Sequence, residues 1–417
     1  MKNEKMIYVY ADFLSFHNEL IGKLYVEGTK GKEFYSFEYD SSWLEHQGAF
    51  LDPDLKLYKG RQYMNDDKNI FGLFADSCPD RWGRLLMKRR EAICAKKADE
   101  KPKKLQETDF LIGVYDKSRV GGLRFKTEKN GEFQSSDDQL STPPWTSLRK
   151  LEQATTEFEN GGEELEEKWL KQLLAPGSSL GGARPKASVM APDGSLWIAK
   201  FPSKHDECNS GAWEMIVHDL AMLCELNVPE AKLENFSKLG NTYLVKRFDR
   251  KGEQRIHFSS AMTMLGKKDG SGAVDGSSYL EIVSFLKANG AKPKKDLCEL
   301  WKRIVFSMAV SNTDDHFRNH GFILSRAGWE LSPMYDVNPD IYGGNLSLNV
   351  NEDDSSIDFE LAIQSAEYYG LSLEQAIQIV AEIKKIVSEN WCSIAKKYGI
   401  SRGEMERMEP AFRECEQ

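Results

Sequence analysis

The chain has 417 residues, 40% of them hydrophobic and 29% charged, with a formal net charge of −9. That length suits two or three domains, with cores large enough to position a site without disulfides or a structural metal. The acidic balance argues against nucleic acid as the principal ligand, because neutralising phosphates needs a cationic face. In chain order, residues 1–40 read as strands: Ile7-Tyr8-Val9-Tyr10, Leu20 to Val26 and Phe34 to Phe37 are aromatic and β-branched, with polar or glycine breaks. Pro79 sits where a helix can begin, and Trp82, Leu85, Leu86 and Arg89 follow at helical spacing. Arg84 to Lys104 is locally basic, with Lys88, Arg89, Arg90, Lys96, Lys97, Lys101, Lys103 and Lys104, which a solvated helix face and a charged loop account for. Residues 108–125 predict a helical turn and a strand, Gly121 to Phe125. The stretch 127–146 reads as a linker, with few apolar side chains to dock on a core and Pro143-Pro144 near its end.

Beyond it, 147–174 is helical, and 186–201 and 231–248 read as strand pairs around a helix at 210–226. Helices dominate from 277. Asp296 to Val310 places Leu297, Leu300, Trp301, Ile304, Val305 and Met308 on one stripe, and Ser372 to Asn390 opens with a Ser372/Gln375 capping box. These elements predict an α+β protein with a two-lobed catalytic domain. The expected divisions are a β-rich N-terminal subdomain at 1–126, the linker, a first lobe at 147–276 and a mostly helical second lobe at 277–417. Seven scattered cysteines form no CxxC pair and no zinc spacing, which fits reduced thiols in a cytoplasmic protein. No apolar segment follows Lys2 and Lys5, and no run of 18 apolar residues exists. Neither a secretory signal nor a membrane span is expected.

Four segments carry chemistry. Gly177 to Lys186 combines glycines, two hydroxyls and two cations before a strand, so its backbone N–H groups can approach phosphate oxygens and Lys186 can add a point charge; a flexible turn is the competing reading. Lys200 shares a strand face with Leu196 and Ile198 and needs an anion, either a nucleotide phosphate or Glu214 on the next helix; a lysine snorkelling from a sheet edge competes. Ser311 to His320 holds two Asp, two His and two Asn. Asp314 and Asn319 have the spacing of a kinase base and metal ligand, and His316 and Arg318 can touch phosphates; a solvated polar turn competes. Asp336 ends the run Leu331 to Tyr335 and offers the hard oxygen that Mg²⁺ prefers, or else it opens a turn before Pro339. The order of glycine loop, strand lysine, helix glutamate, Asp-x4-Asn and metal Asp matches the parts needed for phosphoryl transfer in a protein-kinase-like domain.

The chain resembles the HipA-type serine/threonine kinases, the toxin halves of bacterial type II toxin–antitoxin pairs, over nearly its whole length. The resemblance rests on Phe74 to Arg84, Arg119 to Phe125, Ser179 to Lys186, Lys200-Phe201-Pro202, Arg247-Phe248-Asp249-Arg250, Thr313 to Asn319 and Pro333 to Asp336. It implies ATP and Mg²⁺ as cofactors, with Asp314 as catalytic base and Asn319 and Asp336 holding the metal. Gly181, Gly182, Ala183, Arg184, Pro185 and Lys186 would cradle phosphates, and Lys200 would contact them with Glu214 as its partner. Lys246, Arg247 and Phe248 would form the adenine hinge. His316, Phe317, Arg318, Tyr335, Val337 and Asn338 would complete the pocket. Autophosphorylation would fall on Ser179, with Ser178 as rival, and the added charge would expel the loop that holds ATP. The implied partners are a helix-turn-helix antitoxin, operator DNA mainly through that antitoxin, and an aminoacyl-tRNA synthetase as substrate. Thr313 stands where ordinary protein kinases carry arginine before the base, Val337-Asn338 replaces Phe-Gly, and no APE segment is present. Two other classes compete: a catalytically silent corepressor of the same fold, and a metal hydrolase using Asp314, Asp315, His316 and His320.

Overall fold

A computed structural model describes residues 4–29, 31–45, 49–64, 68–136, 142–161, 173 and 184–415. The chain forms two compact units: Met1–Ala199 with Asp249–Ser259, and Lys200–Phe248 with Ser260–Gln417.

The first unit is built on antiparallel strands β1 (Glu4–Phe13), β2 (Phe16–Thr29) and β3 (Lys32–Tyr39), joined by β4 (Gln62–Tyr63). Helix α1 (Arg81–Lys97) follows with Asp80 as N-cap, its carboxylate accepting from the Gly83 N–H. Next come α2 (Glu107–Gly113) and β5 (Leu123–Lys126), which pairs with β1. Core rings interlock at Phe37, Phe74 and Phe125, with centroids 5.7 and 6.1 Å apart. Arg119 is fully buried and donates to the carbonyls of Ser77, Leu111 and Val114. Burial pushes its guanidinium down to about 10, so those three carbonyls offset a large desolvation cost. Gly121, at φ +73, turns the chain so that its N–H reaches Asp249 Oδ2 at 2.9 Å, and Arg250 donates to the Arg119 carbonyl. The Arg-x-Gly-Gly and Phe-Asp-Arg segments are thus partners in one scaffold.

The expected linker at 127–146 does not divide the compact units. Phe133 packs edge-on against Tyr10 at 5.5 Å with Arg124 over its ring, and the Gln134 N–H bonds the Phe125 carbonyl. One aromatic ring and two backbone bonds, the second from the Asp116 N–H to the Ser135 carbonyl at 3.1 Å, suffice to dock residues 133–135 of a stretch whose few apolar residues predict none. Helix α3 is Leu148–Glu159, and β6 (Lys186–Met190) and β7 (Leu196–Lys200) are neighbouring strands.

In the second unit, α4 (Ser210–Leu223) packs on the antiparallel pair β8 (Ala231–Glu234) and β9 (Thr242–Lys246). Gly211 permits this approach, because a Cβ there would overlap the Asn241 carbonyl oxygen. Helices α5 (Tyr279–Asn289) and α6 (Pro293–Ala309) lead into the hairpin β10 (Gly321–Ser325) and β11 (Gly328–Leu331). Helix α6 begins one turn earlier than its apolar stripe, because Pro293 occupies the first helical position. Helix α7 (Leu373–Lys397) has the predicted capping box and outruns the expected end, since Trp391 continues its buried face and stacks on Phe412 at 4.7 Å. Among the described residues, no helix is long and apolar enough to cross a membrane.

Candidate phosphotransfer site

Lys200 lies at the end of β7, and its side chain is only 7% exposed. Its ammonium is 2.5 Å from Glu214 Oε1 on α4 and 2.6 Å from Asp336 Oδ1. Burial alone would lower its pKa, but the Asp336 and Glu214 carboxylates outweigh burial and raise it above the ordinary lysine value. Of the two partners read from sequence, Glu214 is engaged, and Asp336 is added. Arg303 on α6 donates to the Ser332 carbonyl at 2.8 Å, and the Met334 N–H bonds the Asn227 carbonyl at 2.8 Å, anchoring the strand exit before Asp336. Asp336 itself adopts φ +58, a left-handed conformation that Asp tolerates better than most residues.

The loop that carries Asp314 begins where α6 ends. Ser311, at φ +49, turns the chain out of the helix. Asp314 projects with its side chain 82% exposed, 3.7 Å from His316 Nε2. Asn319 is buried and donates through Nδ2 to the Asp314 carbonyl at 2.8 Å, which fixes its amide and leaves Oδ1 as its acceptor. The next residue is oriented inward. Asp315 accepts from Tyr279 at 2.8 Å and lies 2.8 Å from His320, both fully within the core. Although burial opposes it, His320 and Tyr279 hold the Asp315 carboxyl below the usual carboxylate range. Two adjacent aspartates therefore have opposite fates: Asp314 faces water and Asp315 braces the loop. Among the described residues, no group of three or more His, Cys, Asp or Glu could hold a metal ion, and the hydrolase reading loses Asp315 and His320 to this buried network.

Two bonds join the loop to the Asp336 segment. Tyr335 donates its hydroxyl to the Arg318 carbonyl at 2.7 Å, and the Asn338 N–H reaches Asn312 Oδ1 at 3.3 Å. Val337 is buried between them in sequence. Thr313 and Asn312, to which the sequence assigned no bracing role, hold the loop: Thr313 Oγ1 donates to Asp340 Oδ2 at 2.5 Å, and its carbonyl accepts from Ser347 at 2.7 Å. A cleft of about 180 Å³ beside the loop is lined by His316, Phe317, Arg318, Lys268 and Asp269, with Arg318 3.4 Å from Asp269.

In the expected hinge, the Lys246 N–H is taken by the Glu230 carbonyl at 2.8 Å and its ammonium pairs with Glu230 at 3.2 Å. Arg247 is buried, and Phe248 lies 5.8 Å from the Tyr335 ring. Lys186, expected beside a phosphate, has a protein anion for a partner. It is 3% exposed and bound to Asp80 at 2.9 Å, an anion supplied by the N-cap of α1 from a distant part of the sequence. Arg184 is half-buried and Pro185 buried at the entry to β6. Ser178, Ser179, Gly181, Gly182 and Ala183 lie outside the described residues.

The family model described as "HipA-like C-terminal domain" matches residues 178–391, and that described as "HipA N-terminal domain" matches 14–105. The chain is similar to "Serine/threonine-protein kinase toxin HipA" of Shewanella oneidensis, 27% identical over 197 residues, covering 40% of this chain and 44% of the relative. It is also similar to "Putative kinase Y4dM" of Sinorhizobium fredii, 28% identical over 158 residues, covering 34% of this chain and 37% of that protein. The chain spans between 37% and 54% of the length of the curated relatives it matches. The structure of the Shewanella oneidensis HipA, HipB and operator DNA complex superposes with a TM-score of 0.67 at 17% identity, covering 98% of this chain and 96% of that one, and so shares its fold.

Proposed function

This chain belongs to the HipA-like family, and from that membership we propose that it is an ATP-dependent serine/threonine protein kinase acting as a HipA-like toxin. The observation that carries the reading is the Glu214–Lys200–Asp336 bridge, joined through Tyr335 to a loop that projects Asp314 into solvent. A lysine paired to a helix glutamate is the arrangement that phosphoryl transfer requires of a kinase.

Asp314 is the base. It accepts the proton of the acceptor hydroxyl as the oxygen–phosphorus bond forms and the bond from the γ-phosphoryl group to ADP breaks. Its exposure suits a group that must meet a protein side chain. Lys200 holds phosphate oxygens while Glu214 keeps its ammonium in place. Magnesium suits the donors available, since Asp336 and Asn319 offer a carboxylate and an amide oxygen and leave the remaining positions to phosphates and water. When bound, the ion neutralises charge on the β- and γ-phosphates. The reading extends to autophosphorylation on Ser179 or Ser178, to an aminoacyl-tRNA synthetase as substrate, and to a helix-turn-helix antitoxin that brings operator DNA. The protein and DNA partners in the Shewanella complex support that last part.

The test is transfer from γ-labelled ATP by the purified full chain and by Asp314→Ala, with intact-mass analysis of the product. Wild type should incorporate label on the glycine-loop serines. Asp314→Ala should lose about 10²-fold or more in rate while nucleotide affinity holds. Nucleotide binding by wild type without any transfer would sink the enzyme reading and leave the silent corepressor.

A further inference from the structure

The basic stretch of α1 and the loop after it has no part in phosphotransfer, yet it forms a wall of a defined cleft within the first unit. The cleft, about 920 Å³, is bounded by β3, β4, α1 and residues 103–110. Among the described residues, six cationic side chains line it against two carboxylates, Glu33 and Glu107. Three of the cations are committed: Lys68 to Asp54 at 2.5 Å, Arg84 to Glu107 at 2.7 Å and Lys103 to Asp109 at 2.6 Å. Glu33 is turned to the Thr108 hydroxyl at 2.8 Å and to the Tyr35 hydroxyl. Lys32, Lys88 and Lys104 are exposed and form no ion pair among the described residues. Because Glu33 forms no ion pair among the described residues, three lysines against one carboxylate leave a local positive excess in a chain of net charge −9.

Phe34 and Tyr63 are among the residues that line the same cleft. Phe34 is 52% exposed and Tyr63 70% exposed. Tyr63 pairs opposite Ser36, two residues along β3 from Phe34, so both rings share one sheet face. Neighbouring Tyr35 and Phe37 are buried, so the sheet spends its other face on the core and leaves these rings to solvent. Cations flanking solvent-facing rings suit a chain that carries phosphates outside and flat bases within reach. A duplex keeps its bases paired and offers the rings nothing; an acidic peptide satisfies the lysines but leaves the rings unused.

We propose that this cleft binds a single-stranded nucleic acid segment, with its phosphates on Lys32, Lys88 and Lys104 and its bases stacked on Phe34 and Tyr63. The site is independent of the kinase reading.

The test is fluorescence anisotropy of the full-length chain with short labelled single-stranded RNA and DNA, a duplex of the same length, and a polyglutamate peptide. A single strand should bind, with log affinity falling against log salt at a slope of about 2 for three phosphates at about 0.7 each. Lys88→Glu/Lys104→Glu should weaken binding about tenfold or more and flatten that slope, while Lys88→Arg/Lys104→Arg should retain it. Phe34→Ala/Tyr63→Ala should weaken binding about thirtyfold or more with the slope unchanged, in line with two lost stacking contacts. All substituted positions are exposed, and equal melting temperatures will show that the variants are folded. No binding of single strands, stronger binding of duplex or polyglutamate, or wild-type affinity in the glutamate or alanine pair overturns the proposal.

Discussion

Replacing Lys200 with methionine removes the cation from a trio whose side chains are 7% (Lys200), 7% (Glu214) and 20% (Asp336) exposed. The two carboxylates would then face each other, both within hydrogen-bond reach of where the ammonium stood, at 2.5 and 2.6 Å. Orphaning a buried charge costs about 3–5 kcal/mol. Glu214 can escape part of that by taking up a proton, so the lower end applies. At 2–4 °C per kcal/mol for a domain of this size, the melting midpoint should drop by about 6 °C or more. Glu214→Gln removes the facing charge, and Lys200→Met/Glu214→Gln should recover much of the lost stability because a neutral amide no longer needs the ammonium. Phosphate transfer should not recover, since neither residue can then hold a phosphate oxygen. Calorimetry and transfer rates on the two single variants and the double variant separate packing from chemistry. Wild-type melting for Lys200→Met, or a double variant as unstable as the sum of its parts, would refute this account of the trio.

Gly211→Ala should push α4 away from the Asn241 carbonyl, at an overpacking cost of about 1–3 kcal/mol. It should also slow transfer by displacing Glu214 one turn along; a melting curve and a rate matching wild type would contradict this. His257, buried and stacked on Phe13 at 4.7 Å, is pushed down to about 3 by burial. The unfolded chain protonates this histidine below about pH 6.5 while the folded chain does not, so its contribution falls as pH falls, by up to about 1.4 kcal/mol per unit. Asp52, pushed up to about 6 by burial, acts in the opposite sense below that pH because its folded form holds the proton. His257→Phe should therefore gain on wild type by on the order of 1 kcal/mol between pH 7 and pH 5.5, read from urea midpoints; parallel pH curves would contradict it.

Local rules carried much of the chain. The strand runs of residues 1–40, the stripe of α6 and the capping box of α7 are all written in neighbours a few positions apart, where side-chain periodicity and backbone capping act. Folded geometry decided what neighbours could not. It gave Lys186 to Asp80, Arg250 to the Arg119 carbonyl and Phe133 to Tyr10. It also sent Asp315 inward while Asp314 stayed in water, although the two share one residue type and adjacent places. A carboxylate's environment depends on which distant groups desolvate or neutralise it, and chain letters record neither distance nor burial. Residue order along the chain could therefore put forward candidates for the site, whereas only the packed chain could say which charges meet.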